Sequence, residues 1–140
     1  MKAELGRPIG KTVAVLGLAY KAGTDSLRRS QAVEMCRWLI AEGARVHACD
    51  PKVVALPDDL EGTVTRHVTP AETVRGADAV VVATEWPEFK ALVPEDVAAR
   101  VVVVDQYRFL DERFATDGRI RYIAFGRPTP DRGPDRGNVR

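Results

Sequence analysis

Residues 17–30 read Gly17-Leu18-Ala19-Tyr20-Lys21-Ala22-Gly23-Thr24-Asp25-Ser26-Leu27-Arg28-Arg29-Ser30, directly behind an apolar run. Lys21, Arg28 and Arg29 are the residue types that hold phosphate, Tyr20 offers an aromatic face for a base or sugar, and Asp25 is a hydrogen-bond acceptor. A solvated basic loop would show the same composition, so residue chemistry leaves both readings open. The stretch is not a dinucleotide fingerprint. It lacks the second glycine of GxGxxG, and the apolar helix begins too far downstream to aim its N-terminus from that turn. Nor is it a Walker loop, since no Gly-Lys-Ser/Thr follows.

The remaining reactive side chains form no catalytic constellation. Asp50 and Asp105 each close an apolar run. They could form an acidic pocket of the receiver-domain kind, but a turn at Asp50-Pro51 and hydrogen bonds from a neighbouring loop to Asp105 are the expected roles. His47 and His67 have no carboxylate or cysteine at ligand spacing, and Ser30 has no nucleophile elbow. Cys36 and Cys49 have no CxxC spacing and are expected to be small buried hydrophobes, so neither a disulfide nor a metal site is expected.

The elements that must carry these loops are short. Residues 13–16, 46–49, 79–83 and 101–104 are continuous apolar runs rich in β-branched residues, the pattern of parallel strands covered on both faces. Residues 120–125 give a fifth strand and 63–66 a weaker sixth. Ala32, Met35, Cys36, Leu39 and Ile40 follow helical spacing, with Gly43 placed to end the helix. Thr69-Pro70-Ala71-Glu72 has an N-cap threonine, a proline at the first helical position and a glutamate three residues after the cap, so a helix should run from there to near Gly76. Short helices are expected around 94–99 and 111–117. Strands alternating with helices predict an α/β, Rossmann-like, doubly wound and mainly parallel sheet of five to six strands. In such a sheet, ligands bind beyond the carboxyl ends of the strands, which singles out residues 17–30, 50–51, 84–89 and 105–109.

The chain has 140 residues, 45% of them hydrophobic, with 21 basic against 20 acidic side chains. That fits one soluble domain and argues against a dedicated nucleic-acid binder. No apolar stretch suits a signal peptide or a membrane span, so a cytoplasmic location without membrane contact is expected. Residues 1–127 are read as the domain, and residues 128–140, mostly proline, glycine and charge with little to bury, as a disordered tail.

Taken together, the loops resemble the C-terminal, UDP-binding domain of the UDP-glucose/GDP-mannose dehydrogenase family. Residues 17–30 resemble the family signature GLAFKPGTDDLRES, Asp50-Pro51 its YDP, and Thr84-Glu85-Trp86-Pro87-Glu88-Phe89 its TEWxEF. The resemblance covers roughly residues 9–127. It implies an enzyme that oxidises a nucleoside-diphosphate sugar twice at C6 with NAD. An N-terminal Rossmann domain would bind NAD, a central helical region would carry the catalytic cysteine, and a domain like this one would cover the nucleotide end of the substrate. Neither Cys36 nor Cys49 matches the catalytic cysteine, so the chain is expected to be inactive alone and to require a separate Rossmann and helical part.

By the same resemblance Tyr20 and Lys21 contact the UDP-sugar, and Arg28 reaches across the cleft towards NAD. Arg29 replaces the family's glutamate and Ser26 its second aspartate. Asp105-Gln106-Tyr107-Arg108 stands where the family has DGRN, so Arg108, one residue late, is the arginine left to hold substrate. These departures raise an alternative: a stand-alone interaction module that keeps the scaffold and has lost substrate binding.

Overall fold

The computed structural model describes residues 8–19, 30–53, 55–105, 108–110 and 112–124. Six strands form one sheet: β1 (Thr12–Leu16), β2 (Arg45–Cys49), β3 (Val64–Arg66), β4 (Ala79–Val82), β5 (Val102–Asp105) and β6 (Arg121–Ile123). Their order is β3-β2-β1-β4-β5-β6, and every neighbouring pair is parallel. The chain builds outwards from β1 to β3, then returns to the other side of β1 with β4, so the connections diverge between β1 and β4. This is the doubly wound arrangement, with its switch point between β1 and β4.

The sheet forms because its strands can be buried on both faces. Val13 through Leu16 and all four residues of β4 are buried, as expected of runs with no polar alternation. Helix α1 (Gln31–Ala41) packs Ala32, Val33, Cys36 and Leu39 inwards. Met35 and Ile40, expected on that face, are only partly buried, because the buried stripe runs through Val33 instead. Gly43, at φ +92°, adopts the left-handed conformation that ends α1 and donates its N–H to the Ile40 carbonyl.

Helix α2 (Pro70–Val74) opens with the expected reciprocal cap. Glu72 N–H donates to Thr69 Oγ1 at 3.2 Å, and Thr69 N–H donates to Glu72 Oε1 at 3.3 Å. It stops at Val74, short of Gly76, because Arg75 is already extended. Residues 94–96 make a 3-10 turn in place of the longer helix expected there, and α3 (Glu112–Thr116) fills the expected span 111–117. The proposed tail lies outside the described residues.

At the β2/β3 edge His47 and His67 meet, Nδ1 to Nε2, at 2.8 Å. The rings are within 11° of parallel with centroids 5.0 Å apart, so they lie edge to edge and share one hydrogen bond. Burial, then the charge of His67, then that of Arg45 hold the His47 pKa below its ordinary value. The unfolded chain therefore binds a proton near pH ~6.5 that the folded chain does not, and stability is lost as pH falls through that value. The melting temperature is expected to drop between neutral and mildly acidic buffer, and His47→Gln should reduce that drop. An equal drop in the variant would contradict this account.

Candidate functional site at the carboxyl ends of the strands

Asp50, immediately after β2, organises the carboxyl end of the sheet. Its Oδ2 accepts from Leu18 N–H (2.7 Å), Ala19 N–H (2.9 Å) and the Trp86 indole N–H (3.0 Å). Its Oδ1 accepts from Lys52 N–H (2.9 Å) and Val53 N–H (3.1 Å), which closes the Asp50-Pro51 turn. One carboxylate thus ties together the chain leaving β1, β2 and β4. The expected turn at Asp50 is present, and the carboxylate is filled by donors, so it lines no acidic pocket.

The approach of β1 to β4 is equally tight. Gly17 has φ +98°, and a Cβ there would lie 2.5 Å from Thr84 Cβ and 2.9 Å from Thr84 N, so glycine is required for steric as well as conformational reasons. Thr84 Oγ1 donates to the Ala19 carbonyl at 3.1 Å. On the far side of the basic loop, Ser30 is buried. Its hydroxyl donates to the Leu18 carbonyl and accepts from Val33 N–H at 3.2 Å, capping α1. Both stems of the loop, Ala19 and Ser30, are therefore tied to the same few residues. Tyr20, Lys21, Arg28 and Arg29 spring from those stems but lie outside the described residues.

Trp86 is 5% exposed, and Phe89, from the 3-10 turn Pro87–Ala91, is 1% exposed. The motif at 84–89 therefore packs the end of the sheet. Lys90, which the sequence reading did not single out, places its Nζ 4.8 Å from the Phe109 ring centroid, within cation–π range.

Asp105 closes β5 with no exposed surface. Its Oδ1 accepts from Phe109 N–H (2.9 Å), and its Oδ2 from Leu110 N–H (2.7 Å) and the Tyr122 hydroxyl. It is a loop-folding acceptor, as expected. Arg108 is exposed at this end, with φ +55° and its N–H donating to the Asp105 carbonyl at 3.2 Å. The structure thus places Arg108 on the same end of the sheet as the stems that carry Tyr20, Lys21 and Arg28. Residues 106 and 107 lie outside the described residues.

The thiols are unsuited to attack. Burial pushes Cys36 up to about 12 and Cys49 up to about 11, so both stay protonated near neutrality. Among the described residues no three His, Cys, Asp or Glu side chains converge for a metal, and no helix is long and apolar enough to cross a membrane. Helix α1 begins at Gln31, and its N-terminus is capped by buried Ser30.

A parallel sheet in the order 3-2-1-4-5-6, with converging loops pinned at its switch point, defines a Rossmann-like α/β domain. Residues 14–113 match the model of the UDP-glucose/GDP-mannose dehydrogenase family, UDP binding domain, and the chain belongs to that family. The UDP-glucose 6-dehydrogenase AglM of Haloferax volcanii is 38% identical over 109 residues, covering 77% of this chain and 25% of that protein. The UDP-glucose 6-dehydrogenase of Rickettsia felis is 35% identical over 124 residues, covering 84% of this chain and 27% of that protein. The solved UDP-glucose dehydrogenase of Pyrobaculum islandicum superposes with a TM-score of 0.61 at 32% identity, covering 89% of this chain and 27% of that one. The chain thus spans about a quarter of the length of these relatives.

Proposed function

We propose that this chain is the nucleotide-sugar-facing domain of an NAD-dependent oxidoreductase of the UDP-glucose 6-dehydrogenase type. Lys21 and Arg108 meet the diphosphate of a UDP-sugar, and Tyr20 packs on its base or sugar. Arg28 reaches towards NAD, which a separate Rossmann domain holds and which supplies the hydride acceptor. A separate helical part supplies the covalent nucleophile. The domain alone performs no oxidation, and the complete enzyme works in the cytoplasm.

The observation that carries this reading is the anchoring of the basic loop. Leu18 and Ala19 are fixed by Asp50 and Thr84, and Ser30 by the Leu18 carbonyl, at the end of the sheet where parallel folds bind ligands. Fixed stems reduce the ordering cost when the loop closes on an anion. The hydrogen bonds around them are intact, which favours retained binding over an interaction module that has lost it.

Charge-assisted contacts contribute about 1.5–3 kcal/mol each, and loop ordering together with the missing cleft walls offsets part of that, so a dissociation constant of about a millimolar is expected for UDP. It should rise with salt. Titration of the amide spectrum with UDP is expected to shift residues 20–28, and Lys21→Ala should abolish those shifts. No shifts at several times that concentration, or shifts indifferent to the substitution, would overturn the proposal.

A further inference from the structure

Because all six strands are parallel, their amino ends form a face opposite to Asp50, Thr84 and Asp105. On that face an open cleft of about 450 Å³ lies beside the starts of β5 and β6, lined by Ala99, Arg100, Gly118, Arg119, Ile120 and Arg121. Two backbone hydrogen bonds hold its walls together: Arg100 N–H to the Arg119 carbonyl at 2.7 Å, and Arg121 N–H to the Val101 carbonyl at 2.9 Å. Three arginines surround a space of small-ligand size.

Their charges are not equally committed. The Arg119 guanidinium donates to Asp117 at 3.1 and 3.2 Å and to the Pro94 carbonyl at 3.4 Å, with Glu95 close enough to add to its stabilisation. Arg100 and Arg121 are exposed and have no side-chain partner among the described residues. Arg100 also has φ +68°, a left-handed conformation that a side chain rarely adopts. Held there, it presents its side chain from a tight turn against the segment that carries Arg121.

We infer that this cleft is a second binding site, separate from the carboxyl-end loops, for the phosphate chain of a diphosphate or triphosphate. Arg100 and Arg121 supply the forked donors, Arg119 contributes what charge Asp117 leaves it, and Ala99 and Ile120 form an apolar side. A lone carboxylate would engage one guanidinium and leave the other. Two guanidiniums lining one cleft suit a chain of phosphates, whose paired oxygens match their forks.

The full chain is titrated with inorganic tripolyphosphate at low salt and observed by amide NMR, with sodium chloride at matched ionic strength as the control. Saturable shifts are expected at residues 99–101 and 118–121. The double variant Arg100→Gly/Arg121→Gln should weaken binding by about tenfold or more. Glycine suits the left-handed position, so the variant should fold, which an unchanged melting curve will verify, and the single Arg121→Gln should show an intermediate loss. ADP distinguishes the source: additional shifts at Ala99 and Ile120 support a nucleotide, and weaker binding than tripolyphosphate supports free polyphosphate. The inference is overturned if no saturable shift develops by about 10 mM, if chloride reproduces the shifts, or if the double variant binds as tightly as the parent.

Discussion

Asp50→Ala is expected to lower the unfolding free energy by about 4 kcal/mol, measured by urea denaturation. The carboxylate accepts from Leu18 N–H, Ala19 N–H, Lys52 N–H, Val53 N–H and the Trp86 indole. Hydrogen bonds to a charged group contribute about 1.5–3 kcal/mol each, and orphaned donors carry a desolvation cost of about 1–3 kcal/mol. Simple addition would overshoot, because water can reach this half-buried site and satisfy some of the donors. Asp50→Asn keeps one acceptor oxygen and should cost less than alanine. The loss should also reach function, since Ala19 is one stem of the basic loop. A change below about 1 kcal/mol on Asp50→Ala would show that the network does not hold the loops together.

Trp86→Ala should cost about 3–5 kcal/mol, the range for deleting a buried aromatic ring. The indole is buried at the end of the sheet and also donates to Asp50 at 3.0 Å. Trp86→Phe separates the two contributions: it keeps most of the packing and removes the donor, for a cost of about 1 kcal/mol from the lost bond. Trp86 and Asp50 share a hydrogen bond, so their substitutions should not add, and the Asp50→Ala penalty should be smaller in the Trp86→Phe background. Unchanged denaturation of Trp86→Ala would mean that the ring does not support the fold.

The parts of the fold that the sequence made legible are those with local causes. The apolar runs of β1, β4 and β5 are strands because short continuous stretches rich in valine suit burial on both faces, whereas β2 buries Val46, Ala48 and Cys49 and leaves Arg45 exposed. The cap at Thr69 and Glu72 is visible because both partners lie within one helical turn. β3 was faint for a physical reason: it is three residues long and buries only Val64. Ser30 went unrecognised as the cap of α1 because the apolar pattern begins at Ala32, while the cap lies outside the pattern.

The site was legible as a set of loops but not as a network. Trp86 and Asp50 are 36 residues apart, Tyr122 and Asp105 are 17 apart, and the two histidines are 20 apart. Each pairing follows from the strand order and register, which decide which loops become neighbours. Tyr122 lies opposite Val103 on β5, and only that register brings its hydroxyl to Asp105. The turn expected at Asp50-Pro51 and the hydrogen bonds expected at Asp105 are both present. Their partners could not be named without the sheet.

The central claim is that the basic loop and its neighbours at the carboxyl end of the sheet receive the nucleotide of a UDP-sugar. Intermolecular nuclear Overhauser effects from the uracil and ribose protons of UDP to the isotope-labelled chain test it most directly. Contacts from those protons to the Tyr20 ring and to residues 18–21, lost in Lys21→Ala, are the predicted result. Bound UDP whose base and ribose touch no residue of 18–30, 84–90 or 105–110 would contradict it.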